Sequence, residues 1–142
     1  MDIAKKYNQR GFTLLELMIV MVVLGGLIAI IAPRLGERWK KAQIRSAKLH
    51  MKQISSDLDL YKIHVGKYPG KLRDLIKPPA DERDKKRWEG PYLKEKEIPE
   101  DPWGEKYRYE LTPGQAQPYK LYSYGPNRKG SPESEHISVW DE

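Results

Sequence analysis

Two hydrophobic patterns follow one another along the first half of the chain. The first runs from Phe12 to Ala32, FTLLELMIVMVVLGGLIAIIA, 21 residues in which Glu16 is the only charge. A helix rises about 1.5 Å per residue, so this segment would span about 31 Å, close to the hydrocarbon core of a bilayer. Residues 12–33 are therefore predicted to form a membrane-spanning helix.

The second pattern is an apolar stripe that recurs every three or four residues. Its members are Ala47, Met51, Ile54, Leu58, Tyr61 and Val65. This spacing is typical of an amphipathic helix, predicted here over residues 34–65. The solvated face is predicted to carry Lys48, Lys52, Ser55, Ser56, Asp57, Asp59 and Lys62. Pro33 and Gly36 interrupt the pattern, and because proline lacks a backbone N–H, Pro33 is predicted to be a weak point of the helix.

Residues 66–142 are predicted to form turns and short elements, because this part holds ten of the eleven prolines. One or two helical turns are expected over residues 71–76. The charged segment 81–89 reads as a solvated loop or an exposed helical turn, held by Trp88. The sequence Asp101-Pro102-Trp103-Gly104 fits a type I turn, with Asp, Pro and Gly at its first, second and fourth positions.

Alternation of inward and outward side chains predicts three strands. The first has an inward face made by Tyr107, Tyr109 and Leu111. Two more strands are expected over residues 119–124 and 136–140. The fold class is therefore α+β: a long N-terminal helix, half membrane-spanning and half amphipathic, packed on a small antiparallel sheet of about three strands.

Composition narrows the range of functions. A chain of 142 residues has room for one helix-anchored domain. It has no cysteine, so disulfides and thiol chemistry are excluded. Glycine-rich phosphate loops and the Gly-x-Ser-x-Gly nucleophile motif are missing too, and His50, His64 and His136 lie in different segments without ligand spacing. No enzymatic activity is expected.

Glu16 is the candidate functional residue of the apolar segment. A carboxylate near the centre of a membrane helix costs about 2.5–3.5 kcal/mol on insertion scales. Such a residue is therefore expected to pair with another group or to have a function. A simpler interpretation is that Glu16 favours the positive end of the helix dipole, worth about 0.3–1 kcal/mol.

A short polar leader, residues 1–11, precedes the apolar segment. It carries Lys5, Lys6 and Arg10 against Asp2, so its removal would lower the net charge from +6 to +4. An ordinary secretory signal would instead be cut after the apolar region, at small residues, but Pro33-Arg34 interrupts the candidates there.

The segment KKYNQRGFTLLELMIV, residues 5–20, resembles the leader of type IV pilins and type II secretion pseudopilins. The resemblance implies that a prepilin peptidase cuts after Gly11 and methylates the new terminal amine of Phe12. It also implies that Glu16 neutralises the terminal amine of a neighbouring subunit during filament assembly. The stretch around Pro33 would unwind on packing into a filament, or Pro33 is an ordinary tolerated breaker.

Later segments resemble the major pseudopilins of type II secretion systems, the GspG type: YKIHVGKYP at 61–69, WEGPYLK at 88–94, DPWG at 101–104, YKLYSYGP at 119–126 and ISVW at 137–140. The function implied is that of a structural subunit of a periplasmic filament that drives export of folded proteins across the outer membrane. The implied partners are other copies of the chain, the prepilin peptidase, the inner-membrane assembly platform and minor pseudopilins.

The orientation implied is a single pass through the inner membrane with the C-terminal domain in the periplasm. Lysines and arginines just beyond the span, from Arg34 to Lys48, would alone favour the reverse orientation. We follow the resemblance, because a short leader and first span usually dominate topology.

The resemblance also implies a calcium site in an aspartate-rich loop near the C-terminus. The matching stretch here is NRKGSPESEH, residues 127–136, which has no aspartate and carries Arg128 and Lys129. Only Asn127, Glu133 and Glu135 could serve as side-chain ligands, whereas calcium takes six to eight oxygens. The alternative is a metal-free loop held by hydrogen bonds, so no cofactor is assigned.

A second class of function is a type IV or competence pilin involved in motility, adhesion or DNA uptake. The basic stretch from Arg34 to Lys52 could contact phosphate. No base-stacking module accompanies it, so binding of nucleic acid is not expected.

Overall fold

The structure, a computed structural model, describes residues 11–141. The predicted leader therefore lies outside the described residues, apart from Gly11. Helix α1 spans Leu14–Val65 and does not end at Pro33 or Gly36. Proline removes one helical hydrogen bond, and the neighbouring turns keep theirs. The chain divides into two compact units, Met1–Lys40 and Lys41–Glu142.

The predicted apolar stripe forms one side of the core of the second unit. Its six residues are between 0% and 3% exposed. The other side of the core consists of Leu72, Leu75, Leu93, Tyr107, Tyr119, Leu121 and Ile137. The Tyr119 hydroxyl lies 2.7 Å from Oγ of Ser55, a polar contact between the strand that holds Tyr119 and α1.

The solvated face of α1 was predicted incorrectly at Asp57, which is buried. Its Oδ1 accepts a hydrogen bond from Nε2 of Gln53 at 3.2 Å. Asp57 precedes the core residue Leu58, so its side chain lies at the edge of the stripe rather than opposite it. Desolvation raises the pKa of the Asp57 carboxyl above its ordinary value, and the Gln53 hydrogen bond acts in the opposite direction. Ser55 is half-buried for the same geometric reason.

Two short helical elements follow α1. A single 3-10 turn spans Leu72–Leu75, within the predicted range, and its two leucines are buried. Helix α2 spans Glu82–Arg87. Of the two predictions for the charged segment 81–89, the exposed helical turn is therefore the one observed. Asp81 caps α2 by accepting hydrogen bonds from the backbone of Arg83 and Asp84. Trp88 anchors the segment as predicted, since its Nε1 donates to the Asp74 carbonyl at 2.7 Å.

The sheet contains β1 (Arg108–Leu111), β2 (Tyr119–Ser123) and β3 (Ile137–Ser138), antiparallel and in the order β1-β2-β3. The α+β fold class is therefore confirmed. Leu111, predicted to face inward, is 38% exposed because it ends the edge strand β1. The third strand is shorter than predicted.

A turn ends β3 early. The carboxylate of Asp141 accepts from the backbone N–H of Ser138 at 2.7 Å, and the Asp141 N–H donates back to the Ser138 carbonyl. The indole of Trp140, which follows β3, contacts β2: its Nε1 donates a hydrogen bond to the Tyr119 carbonyl at 2.9 Å.

Candidate assembly site and C-terminal loop

The predicted processing site lies in the short non-helical segment before α1. Gly11 and Phe12 are both exposed, and the side chain of Phe12 is 82% exposed. A backbone outside regular structure can adopt the extended conformation that a peptidase requires. The segment is thus accessible, and the role of Gly11 and Phe12 in processing stays a prediction.

Glu16 lies in the first turn of α1 and takes part in a capping box with Thr13. Its Oε2 accepts from the backbone N–H of Thr13 at 3.3 Å, and Oγ1 of Thr13 accepts from the backbone N–H of Glu16 at 3.2 Å. Two otherwise unpaired helix N–H groups are satisfied in this way. The Thr-x-x-Glu spacing is visible in the sequence, although the capping box was not predicted from it.

The carboxylate of Glu16 has no counter-charge among the described residues. Within residues 11–141, no lysine, arginine or histidine lies within 4 Å of it. Arg34 is the next charged residue along α1. The capping box satisfies hydrogen bonds of Glu16, but no cation in the described part of the chain compensates its charge.

The apolar part of α1 is fully exposed. It contains a window long and apolar enough to cross a membrane, and none of that window is buried. The prediction of a hydrophobic N-terminal helix is therefore supported by length, composition and exposure. Pro33 lies inside α1, where its side chain is exposed.

A second line of uncharged residues runs along the C-terminal part of α1, and we call it the outer stripe. Its members are Ala42, Ser46, Leu49, Gln53, Ser56, Leu60 and Ile63. Most of them lie two positions from a core residue, about 200° around the helix, so the outer stripe faces away from the core. Leu49, Leu60 and Ile63 are 58%, 42% and 74% exposed. The stripe was not predicted from the sequence, because only polar residues were assigned to that face.

The three calcium candidates lie in the segment between β2 and β3. Nδ2 of Asn127 donates to Oε2 of Glu135 at 2.6 Å. A carboxylate oxygen of Glu133 lies 3.8 Å from Nζ of Lys120, on β2. Asn127 and Glu135 are thus brought together, whereas Glu133 faces a lysine instead.

The donor set of this segment does not fit calcium. Two carboxylates and one amide offer at most four carboxylate oxygens and one amide oxygen, fewer than the six to eight that calcium takes, and each of the two carboxylates already has a partner. Within residues 11–141, no group of three or more acidic or histidine side chains is arranged to hold a metal ion.

Comparisons with known proteins agree on one family. The family model described as type II secretion system protein G matches residues 34–140, and the model of the prokaryotic N-terminal methylation motif matches residues 6–32. A type II secretion system core protein G from Pseudomonas aeruginosa is 39% identical over 96% of this chain and 99% of its own length. A type II secretion system core protein G from Klebsiella pneumoniae is 36% identical over 94% of this chain and 95% of its own length.

A solved structure is similar as well. The crystal structure of the major pseudopilin from the type 2 secretion system of enterohaemorrhagic Escherichia coli superimposes with a TM-score of 0.62 at 26% identity. The match covers 73% of this chain and 87% of that one.

Proposed function

The chain belongs to the type II secretion system protein G family, the major pseudopilins, and on this premise we propose that it polymerises through α1 after cleavage behind Gly11. It is a non-enzymatic structural protein with an N-terminal methylation motif.

The main observation behind the proposal is the charge and location of Glu16. Its negative charge lacks a counter-charge among the described residues, yet it lies at the start of a fully exposed apolar helix. Cleavage after Gly11 would create an ammonium group at Phe12. A buried cation and a buried carboxylate are each costly alone and tolerable as a hydrogen-bonded pair. Glu16 of one subunit therefore pairs with the terminal amine of its neighbour.

The outer stripe supports packing along the rest of α1. Its residues follow each other at intervals of four and three, the spacing at which one helix packs along another at a shallow crossing angle. Leu49, Leu60 and Ile63 each expose apolar surface, and burying such a side chain contributes about 1.5–3 kcal/mol. Pro33, just after the apolar segment, allows the helix to bend or unwind in the filament.

We propose the location that membership in the family implies, and the exposed apolar helix supports it. The apolar part of α1 is held in the inner membrane before assembly, and the unit beginning at Lys41 faces the periplasm. The partners are other copies of the chain, the prepilin peptidase, the inner-membrane assembly platform and the minor pseudopilins. The filament then drives folded proteins across the outer membrane.

The test compares culture supernatants of a strain lacking the gene, the same strain carrying the gene, and the parent strain. We expect a set of secreted proteins to disappear in the deletion strain and to return with the gene. An unchanged supernatant, together with a loss of motility or DNA uptake, would contradict the proposal and favour a type IV pilin. Intact-mass measurement of the mature protein should give a chain that begins at methylated Phe12.

A further inference from the structure

The segment between β2 and β3, residues 124–136, is the C-terminal loop. We propose that this chain closes its C-terminal loop with its own side chains, chiefly the Asn127–Glu135 hydrogen bond, and that the loop requires no calcium. Family resemblance implies a calcium ion here, so this chain departs from its family at the loop. The closure of the loop does not depend on how the subunits polymerise.

The Asn127 amide links the two halves of the loop through the carboxylate of Glu135. Its Nδ2 donates to Oε2 of Glu135 at 2.6 Å, a short bond to a charged acceptor across eight residues. The two ends of the loop also lie close together at the backbone. A Cβ placed on Gly125 would be 3.2 Å from the Glu135 carbonyl oxygen. The amide and this backbone approach together close the loop.

The carboxylate of Glu133, the other acidic side chain of the loop, faces a lysine on β2. Nζ of Lys120 lies 3.8 Å from Glu133. Arg128 and Lys129 add two positive charges within the loop itself. A divalent cation would therefore enter a segment whose two carboxylates already face donors and whose other charges repel it.

Backbone carbonyls are the remaining ligands that calcium could use, and several of those in the loop already accept hydrogen bonds. The Gly125 and Arg128 carbonyls accept from the N–H groups of Arg128 and Ser131, each at 3.1 Å. Four more carbonyls accept as well: Tyr124 from Oγ of Ser131, Ser131 from Nε2 of His136, Pro132 from the N–H of Glu135 and Glu133 from the N–H of His136.

Aromatic packing fixes the end of the loop. The ring of His136 stacks on Tyr122 with centroids 4.9 Å apart and an angle of 7° between the ring planes. Because Nε2 of His136 donates to the Ser131 carbonyl, this stacking also holds Ser131 in place. The loop thus has its own framework of side chains and turns.

The test is tryptic cleavage of the full-length protein in detergent micelles, with either calcium chloride or a calcium chelator. Arg128 and Lys129 provide cleavage sites inside the loop, and Lys96 provides one elsewhere. For the wild-type protein we expect the same rate of loop cleavage in both buffers. We expect the same thermal midpoint as well.

The variant Asn127→Ala removes the amide that closes the loop. We expect loop cleavage to accelerate at least fivefold, calcium not to reverse this, and cleavage after Lys96 to keep its rate. The matched control is Gln115→Ala, which removes an exposed amide from the turn between β1 and β2. Its loop cleavage should equal that of the wild type.

Two results would overturn the inference. Calcium that slows loop cleavage, or raises the thermal midpoint of the wild type with increasing concentration, would mean that the loop binds the ion. Loop cleavage of Asn127→Ala at the wild-type rate would mean that the Asn127–Glu135 bond does not close the loop.

Discussion

Oγ of Ser123 donates a hydrogen bond to Oδ2 of Asp101 at 2.5 Å, and both residues are buried. The other oxygen of Asp101 accepts the backbone N–H groups of Trp103 and Glu105 at 3.0 and 2.9 Å. The Ser123 hydroxyl in turn accepts the N–H of Gly125 at 3.0 Å. This network joins the turn before β1 to the end of β2 and the start of the C-terminal loop.

The predicted turn at residues 101–104 is closed by a hydrogen bond from the Gly104 N–H to the Asp101 carbonyl at 3.0 Å. The sequence indicated this local role of Asp101. It did not indicate the contact with Ser123, because that contact depends on how the turn packs against β2. A buried carboxylate with all its partners in place is costly to alter.

We predict that Asp101→Ala lowers the free energy of unfolding by about 3 kcal/mol or more. Three donors would lose their acceptor, and a buried donor left unpaired costs about 1–3 kcal/mol. The measurement is urea unfolding of the full-length protein in micelles. Glu100→Ala, the exposed neighbour, is the control and should stay within about 0.5 kcal/mol of the wild type. Equal stability of both variants would refute the structural role of Asp101.

Asp57 should make stability depend on pH. Burial raises the pKa of its carboxyl, so the folded state binds this proton more tightly than the unfolded state does. The contribution of Asp57 to stability therefore falls as the pH rises from about 4 through the raised pKa, and the loss is complete above it.

The variant Asp57→Asn isolates this effect, because its amide oxygen can still accept from Gln53. We predict that it raises the free energy of unfolding at pH 7 by on the order of 1 kcal/mol, the scale of a partly compensated buried polar group. The gain should vanish at about pH 2, well below the ordinary pKa of aspartate, where the side chain is protonated in both states. A gain of the same size at every pH would rule out charge burial as its cause.

The outer stripe predicts a separation between folding and assembly. Leu49 and Ile63 are both more than half exposed, so the double variant Leu49→Glu with Ile63→Glu should change the free energy of unfolding by less than about 1 kcal/mol. It should nevertheless fail to form filaments, because two carboxylates would enter the helix interface.

The matched control for the outer stripe is Gln115→Glu with Gln117→Glu, which adds the same charge at exposed positions between β1 and β2. Filament yield is measured by opening the outer membrane and sedimenting the released polymers. Normal yield from the stripe variant would exclude the stripe from the interface. A loss of yield in the control would instead point to net charge.

The helical side of the core could be predicted from the sequence because the pattern that specifies it lies within one helix. The spacing of Met51, Ile54 and Leu58 specifies one face of a helix, and each of these residues is buried. Asp57 was misplaced because a charged residue next to the stripe was assumed to be solvated. The end of β3 was missed because Asp141, beyond the strand, forms the turn that stops it.

Some features of the site can likewise be predicted from the sequence, and others cannot. The Thr13–Glu16 capping box is a motif of fixed spacing, so the sequence contains enough information to predict it, although it was missed. The hydrogen bonds that occupy the loop carbonyls could not be predicted, because they follow from the backbone conformation. That conformation includes Arg128 at a φ of +59°, which few non-glycine residues adopt.

Glu16 allows the central claim to be tested with a single substitution. Its carboxylate has two separable properties: it closes the capping box with Thr13, and it carries a charge that no residue from 11 to 141 neutralises. Glutamine preserves the first property, since Gln serves at this position of a capping box, and removes the second. Insertion of the variant into the membrane and cleavage after Gly11 should both continue.

The decisive measurement is the yield of filaments released by opening the outer membrane of cells that express Glu16→Gln, with wild type and Glu16→Ala beside it at equal expression. Charge neutralisation between subunits predicts that neither variant forms filaments, although both accumulate as processed subunits. Filaments from Glu16→Gln at the wild-type yield would contradict the account, because the role of Glu16 would then be limited to capping its own helix.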